Sequence, residues 1–238
     1  MQNSVFLEGV LNCISGIFSP YIQSSPASFF IFLSKGKSTH HTMFKKFDPS
    51  EDVSTSTQVK ASVQRGLKTQ IHKSHPALGD AVLDELLPKK PPLVQYKIGP
   101  HLMLYCKQSP DNGGDDPVFF QHRDGPILPT LKFVHKYPKV EFTRVTVDKG
   151  AIPFLLGGAN VMCPGLTNPG GEMPADDGET NGLEKGDGVV IYAEGKELPL
   201  AVGMMTMSSS AVRKKNKGNG IEVSHFLGDG LWVTEEIE

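Results

Sequence analysis

Cys163 carries the most reactive side chain in the motif-rich part of this sequence, because a cysteine thiolate is a strong nucleophile. It ends the short apolar run "ANVMC" and precedes a Pro-Gly pair. A catalytic cysteine needs a lowered pKa and a base within hydrogen-bond reach, and the nearest histidines in the sequence are His135 and His225. A small cysteine at a strand end is more often a packing residue. We therefore expect Cys163 to pack inside the protein, and we expect no enzymatic activity.

The other cysteines do not complete a metal site or a disulfide framework. The chain has three cysteines, Cys13, Cys106 and Cys163, which are widely spaced and include no CxxC pair. This pattern predicts no structural zinc, no other metal and no cofactor. A reducing compartment is the default for such a chain, so we expect it in the cytoplasm.

Glycines dominate the segment from Lys149 to Gly171, which contains six of them. Gly157, Gly158 and Gly165 lack side chains, so another backbone or a base can approach closely. Their spacing matches neither a phosphate-binding Walker loop nor a GxGxxG fingerprint. The sequence therefore argues against nucleotide binding and leaves two alternatives, ordinary turns or a backbone contact surface.

Charge is distributed unevenly along the chain. Residues 43–137 hold 13 Lys and Arg against 10 Asp and Glu, whereas residues 138–238 hold 9 against 15. A protein that coats nucleic acid by neutralising phosphates is expected to be basic throughout. Any RNA contact of this chain is therefore predicted to be local and geometric.

The first 42 residues differ from the rest. They contain apolar runs such as "SVFLEGVLNCISGIF", but no basic residue precedes Lys35, as a secretory signal would require. No run is long enough to predict a membrane span. We expect residues 1–42 to be a weakly structured extension or the product of an upstream start, with Met43 as the ancestral start. Mitochondrial targeting is the rival, opposed by only two basic residues and no arginine.

Residues 43–138 show helical periodicity followed by strand-like runs. Apolar residues recur at helical spacing in two segments, with Thr57 as the expected cap of the first helix. Three short runs, "PLVQYKIG", "HLMLYCK" and "PVFFQH", predict a small antiparallel sheet. A further helix is predicted from Pro129 to the residue before Pro138. The two periodic faces are Val59, Val63, Leu67 and Ile71, and then Leu78, Val82, Leu83 and Leu86.

Residues 139–236 are predicted to be mostly short strands. The run "EFTRVTVD" predicts a strand, and "KGAIPFLLGG" a short helix capped by Asp148 and ended by Gly157 and Gly158. Further strands are predicted in "GDGVVIYAEG" and "LPLAVGMMTM", a helical turn in "SSSAVRKKNKG", and two final strands in "IEVSHFLGDGLWVT". This pattern is typical of a compact barrel.

Several motifs resemble a known family. The stretch "VDKGAIPFLLGGANVMCPGL" resembles the opening of a PUA domain, and "MFKKFD", "FFQHRDGPILPTLKFVHKYP" and "HFLGDGLW" resemble the malignant T-cell-amplified sequence family of translation factors. The resemblance covers Met43 to about Thr234. It implies an α+β chain, with a pre-PUA domain of helices on a small antiparallel sheet at residues 43–138 and a PUA β-pseudobarrel at residues 139–236.

The resemblance also implies a function and partners. It predicts a non-enzymatic factor that binds RNA and the small ribosomal subunit together with a density-regulated-protein homologue. Its expected roles are initiation by non-standard routes, reinitiation and the release of tRNA during ribosome recycling, with small-subunit rRNA and initiator or deacylated tRNA as RNA ligands. The alternative is a PUA-containing accessory subunit of an RNA-modification or ribosome-biogenesis complex. Against it, residues 43–137 contain neither a glycine-rich methyl-donor loop nor a recognisable catalytic-aspartate segment.

The resemblance also implies site residues, namely the positions of this chain that match the RNA-binding groove of the PUA domain. Lys149 could equally be a solvated helix start, and the cluster from Arg213 to Lys217 a solvated face. Two features depart from the family's pattern: Pro153 falls inside the short helix, and an acidic insert spans residues 172–187. The predicted RNA-binding residues are Lys149, Gly150, Asn160, Met162, Pro164, Gly165, Arg213 and Lys214. The predicted partner-binding residues are an aromatic surface of Phe44, Phe47, Phe119 and Phe120.

Overall fold

A computed structural model describes residues 43–108, 114–175, 182–235 and 237. The predictions for residues 1–42, and for the part of the acidic insert at residues 176–181, lie outside the described residues. The described chain forms two five-stranded sheets with short helices packed against them. The prediction of an α+β fold is confirmed.

The first sheet is built from residues 53–129. A short helix α1 (Pro49–Asp52) leads into strand β1 (Val53–Gln58), and helices α2 (Ala61–Ser74) and α3 (Asp80–Leu86) follow. Strands β2 (Val94–Ile98), β3 (Leu102–Gln108), β4 (Asp115–His122) and β5 (Ile127–Pro129) then pair antiparallel in the order β1-β2-β3-β4-β5. Helix α4 (Leu131–Lys136) closes this half and is capped by the hydroxyl of Thr130.

Strand β1 was missed by the sequence prediction. Thr57, the expected helix cap, lies in this strand, and helix α2 begins four residues later after Lys60. In the segment "VSTSTQ", Ser and Thr fill four consecutive positions, and almost all side chains are exposed. The segment therefore lacks the alternation of apolar and polar residues by which strands are recognised. Pairing with β2 decides its conformation.

The predicted helix faces are partly correct. Leu67, Ile71, Leu83 and Leu86 are buried, but Val63 is 49% exposed and faces solvent. Gln64 is buried instead, because its amide donates to the carbonyls of Leu87 and Pro88 at the end of α3. The buried stripe of α2 therefore differs from the prediction at one position, where Gln64 replaces Val63.

The second sheet belongs to residues 144–226. Strand β6 (Arg144–Val147) leads into a 3₁₀ turn (Lys149–Ala151), helix α5 (Ile152–Leu156), the two-residue strand β7 (Val161–Met162) and helix α6 (Cys163–Thr167). Strands β8 (Gly188–Ala193), β9 (Ala201–Met205) and β10 (Asn219–Phe226) follow, with helix α7 (Ser209–Lys215) between β9 and β10. The strand order is β6-β8-β9-β10-β7, in which only the β6–β8 pair is parallel.

Two local predictions in this half are wrong. Cys163 and the Pro164-Gly165 pair form helix α6 rather than a strand end and a turn, since proline is well tolerated in the first turn of a helix. The expected final strand is helix α8 (Gly230–Val233). Asp229 caps this helix by accepting from the backbone N–H of Trp232 at 3.0 Å.

The two halves share a continuous apolar seam. The ring of Phe44 contacts the rings of Phe120 from the first sheet and His225 from the second, at centroid distances of 5.1 and 5.7 Å. The backbone N–H of Gly230 donates to the carbonyl of Phe44 at 2.8 Å. In return, Ile237 forms an antiparallel bridge with Asp115 of β4. Each half is therefore held by a terminal segment of the other.

Candidate nucleic-acid interface

A shallow cleft of about 200 Å³ opens at one end of the second sheet. The 3₁₀ turn and helix α5 form one wall, and strand β7 and helix α6 form the other. The lining is mostly apolar side chain and glycine backbone. It consists of Asp148, Gly150, Ala151, Phe154, Leu155, Asn160, Val161, Met162 and Gly165.

Asp148 holds the two walls together. One carboxylate oxygen accepts from the backbone N–H of Ala151 at 2.9 Å, which confirms the predicted cap. The other accepts from the side-chain amide of Asn168, just after α6, at 2.8 Å. Its own backbone N–H donates to the carbonyl of Gly165 at 2.9 Å. Because both carboxylate oxygens are engaged, Asp148 acts as a structural crosslink beneath the cleft.

Pro153 does not distort the cleft wall. It lies in the first turn of α5, where no intrahelical donor is lost, and Gly157 donates to its carbonyl at 3.1 Å. The next residue, Phe154, projects outwards and is 68% exposed. Across the cleft, Met162 is 50% exposed. Two large apolar side chains therefore face solvent at the cleft mouth, although most such side chains of this fold are buried.

Four of the eight predicted RNA-binding residues line the cleft: Gly150, Asn160, Met162 and Gly165. Gly165 is buried, and a β-carbon on it would lie 3.4 Å from that of Ala151 on the opposite wall, so only a small residue fits between the walls. Asn160 uses its side-chain oxygen to accept from the backbone N–H of Val223 at 3.0 Å. Gly150 and Met162 are the two lining residues of this group that are exposed.

The other four predicted residues lie at the edges. Lys149 is exposed beside the cleft, with its ammonium 3.8 Å from the carboxylate of Glu194. Pro164 is half-buried in the first turn of α6. Arg213 donates to the carbonyls of Met173 and Pro174 at 3.3 and 2.9 Å.

A basic rim lies next to helix α6. The loop after α7 touches α6 directly, since the Cys163 Sγ atom is 3.4 Å from the carbonyl of Lys217 and Thr167 contacts the side chain of Asn216. Lys214, Lys215 and Lys217 are all exposed there. The structure thus places the end of the predicted cluster from Arg213 to Lys217 beside the cleft.

Cys163 lacks the surroundings of a nucleophile. Its side chain is fully buried, and burial raises the pKa of its thiol. The two histidines considered as bases are engaged elsewhere: His135 contacts the carbonyl of Pro199 at 2.9 Å, and His225 contacts the carboxylate of Asp229 at 2.8 Å. Cys163 is therefore a buried packing residue, as its sequence context predicts.

The predicted aromatic partner surface is wrong. Phe44, Phe119 and Phe120 are fully buried and Phe47 is 8% exposed. Phe44 and Phe120 form the seam between the two sheets, and Phe119 packs against Phe133 at a centroid distance of 5.1 Å. The prediction failed because these aromatic side chains are buried by the seam between the two halves as well as by the first sheet.

Sequence reasoning missed Phe154 and Glu194. Phe154 lies in a short apolar helix in which Ile152, Leu155 and Leu156 are buried, so only the structure shows that it points outwards. Glu194 follows β8 and is far from Lys149 in sequence. Helical spacing in the segment 152–156 could have indicated that Phe154 lies on the face opposite the buried residues. No local signal indicates Glu194.

In residues 43–108, 114–175, 182–235 and 237, no group of three or more His, Cys, Asp or Glu side chains is placed to hold a metal ion. Within those same ranges, every helix is too short or too polar to cross a membrane.

Comparison with known families divides the chain in two. Residues 47–138 match the model of the Pre-PUA-like domain, and residues 143–227 match the model of the PUA domain. Among solved structures, a hypothetical protein from Pyrococcus horikoshii OT3 aligns with a TM-score of 0.57 and 25% identity over 75% of this chain and 98% of that one. A PUA domain from Aeropyrum pernix K1, crystallised with tartrate, aligns with a TM-score of 0.52 at 24% identity, covering 75% of this chain and 89% of that one.

Curated relatives are similar over most of their length. Translation machinery-associated protein 20 of Schizosaccharomyces pombe is 47% identical over 81% of this chain and 98% of its own. The malignant T-cell-amplified sequence 1 homolog of Drosophila melanogaster is 46% identical over 82% of this chain and 100% of its own. Translation machinery-associated protein 20 of Saccharomyces cerevisiae is 45% identical over 80% of this chain and 97% of its own.

Proposed function

Because the chain belongs to the family of malignant T-cell-amplified sequence and translation machinery-associated protein 20 proteins, we propose that it binds RNA of the small ribosomal subunit as a non-enzymatic translation factor. In this proposal residues 43–138 form the pre-PUA domain and residues 139–236 the PUA domain. The protein acts in the cytoplasm, in initiation by non-standard routes, in reinitiation and in the release of tRNA during recycling. A density-regulated-protein homologue is its partner.

The observation that carries the RNA contact is the composition of the cleft. Phe154 and Met162 are exposed on opposite walls, and unpaired bases stack on exposed apolar and aromatic side chains. Lys149 lies on one side of the cleft, and Lys214, Lys215 and Lys217 lie near helix α6. Apolar contacts for bases beside cations for phosphates suit single-stranded RNA, and a local site of this kind agrees with the acidic balance of residues 138–238.

The partner contact is proposed for the first half of the chain, on a surface other than the four buried phenylalanines. The cleft is then free for RNA while the partner is bound. A pull-down with the full chain tests this arrangement: a density-regulated-protein homologue should be retained equally by the unaltered protein and by cleft variants. Loss of the partner from cleft variants would place partner and RNA on one surface.

Replacing Phe154 tests the RNA contact. Phe154→Ala should weaken binding to purified small ribosomal subunits about tenfold, because stacking contributes about 1–3 kcal/mol per base. Its free energy of unfolding should change little, since the ring is 68% exposed. Co-sedimentation with subunits and urea unfolding measure the two quantities.

Val63→Ala is the matched control. Val63 is 49% exposed on α2, outside the cleft, and its removal also deletes exposed apolar surface. Subunit binding by this variant should equal that of the unaltered protein. Equal binding by Phe154→Ala and Val63→Ala would contradict the assignment of the cleft as the RNA surface.

A further inference from the structure

The cation at the edge of the cleft has a carboxylate beside it. The ammonium of Lys149 lies 3.8 Å from a carboxylate oxygen of Glu194, and the two side chains are 71% and 42% exposed. The two residues come from different elements, the 3₁₀ turn after β6 and the turn after β8. This is the one ion pair at the cleft among the described residues.

The backbone of Glu194 is fixed by the sheet. Its N–H donates to the carbonyl of Val147 at 2.9 Å, which extends the parallel β6–β8 pairing by one residue. Lys149 begins the turn two residues after Val147. The sheet therefore fixes the backbone positions from which the two side chains extend.

The backbone of Gly170 lies close to the Glu194 carboxylate. It occupies the third position of the tight turn Asn168-Pro169-Gly170-Gly171, closed by a 2.9 Å hydrogen bond from Gly171 to Asn168. Its φ of +94° suits glycine, and a β-carbon on it would lie 2.6 Å from the Glu194 carboxyl carbon. The turn after α6 thus packs directly on Glu194, so the carboxylate lies between this turn and Lys149.

We propose that Glu194 sets the strength and the salt dependence of the phosphate contact made by Lys149. This inference rests on the proposed RNA-binding function and identifies how its cationic edge is tuned. A phosphate that approaches Lys149 comes close to the carboxylate of Glu194 as well, and the two anions repel each other. Glu194 therefore lowers the affinity of the site for the backbone of any RNA, and leaves selection to the bases that enter the cleft.

A double-mutant cycle with purified small ribosomal subunits tests the coupling. Glu194→Gln should tighten binding about threefold at about 50 mM salt, and the gain should shrink towards about 200 mM salt, because the freed ammonium makes a stronger, salt-sensitive phosphate contact. In a Lys149→Ala background the same substitution should have no effect, because there is no ammonium left to release. Binding is measured by fluorescence anisotropy of the labelled full chain.

Glu197→Gln is the control for net charge. Glu197 is exposed three residues after Glu194, and its replacement changes the formal charge equally. Binding by Glu197→Gln should match that of the unaltered protein. An equal gain from both Gln variants, or a gain from Glu194→Gln that persists without Lys149, would overturn the inference and indicate long-range repulsion only.

The outcomes also separate this inference from the proposed function. If Lys149→Ala weakens subunit binding while Glu194→Gln leaves it unchanged, the inference fails and the RNA contact stands. If the unaltered protein does not bind subunits, or binds them as tightly after Lys149→Ala, the proposed contact at Lys149 fails and the inference fails with it.

Discussion

Two neighbouring cations on helix α7 have different surroundings. Arg213 turns back onto the carbonyls of Met173 and Pro174, whereas Lys214 is exposed and has no hydrogen-bond or ion-pair partner among the described residues. Arg213 therefore fastens the first residues of the acidic insert, and its guanidinium has fewer donors left for phosphate. Lys214 keeps its ammonium available. Charge type and position along the sequence are nearly identical for the two residues, so the sequence could not distinguish these roles.

Substituting the two residues separately should reveal this difference. Arg213→Ala should lower the free energy of unfolding by about 1 kcal/mol, because two charge-assisted hydrogen bonds to backbone carbonyls are lost at a partly exposed site. Lys214→Ala should stay within about 0.5 kcal/mol of the unaltered protein and should weaken subunit binding more than Arg213→Ala does. Urea unfolding and subunit co-sedimentation measure the pair. The reverse order of stability losses would contradict the structural role of Arg213.

At the scale of elements, predictability follows the strength of the local signal. Helix α2 is recognisable because Leu67 and Ile71 recur at helical spacing, and the cap at Asp148 is recognisable from residue type alone. Strand β1 was missed since pairing with β2, not its own composition, makes it a strand. The cleft was located by family motifs, but the outward direction of Phe154 depends on how α5 packs, which no local pattern specifies.

Helix α2 contains a glycine without a packing reason. Gly66 lies in the middle of the helix, and a β-carbon built on it meets no atom of the described chain within 4 Å. Alanine is favoured over glycine inside a helix by about 1 kcal/mol, so Gly66→Ala should raise the free energy of unfolding by about that amount. Thermal or urea unfolding measures the change.

The contrasting element is helix α8. A β-carbon on Gly230 would lie 2.5 Å from the backbone nitrogen and 2.7 Å from the carbonyl oxygen of Phe47. Gly230→Ala should therefore destabilise the protein, since backbone atoms cannot yield as a side chain can. Stabilisation by Gly230→Ala, or destabilisation by Gly66→Ala, would show that the helices pack differently from this description.

At the scale of the whole molecule, the seam between the two halves contains three histidines with buried ring nitrogens, His75, His135 and His225. His75 and His135 each place Nε2 against a carbonyl oxygen, of Ile127 at 3.0 Å and of Pro199 at 2.9 Å, so each donates through Nε2. Their Nδ1 atoms, and Nε2 of His225, are buried and have no hydrogen-bond partner in the described part of the chain. His225 donates through Nδ1 to Asp229 and contacts the ring of Phe44. A second proton on His75 or His135 would create a buried N–H without an acceptor among the described residues.

Acid should therefore loosen the seam before it disrupts either sheet. Burial lowers the pKa of His75 from 6.5 to about 4 and also lowers the pKa of His135. Below about pH 6.5 the unfolded chain takes up a proton on His75 that the folded chain refuses, so stability is complete above that pH and is lost as the pH falls towards about 4. The contribution of His75 alone is about 2 kcal/mol between about pH 7 and pH 5.

Urea unfolding across this pH range tests the seam. His75→Gln keeps a donor for the carbonyl of Ile127 but cannot be protonated, so its stability should depend less on pH than that of the unaltered protein. His101→Gln is the matched control, because His101 is exposed, and it should retain the full pH dependence. Should His75→Gln fail to fold, His135→Gln provides the same comparison. An unchanged slope in the buried-site variant would mean that other groups cause the acid sensitivity, and the two halves would then separate without any contribution from these rings.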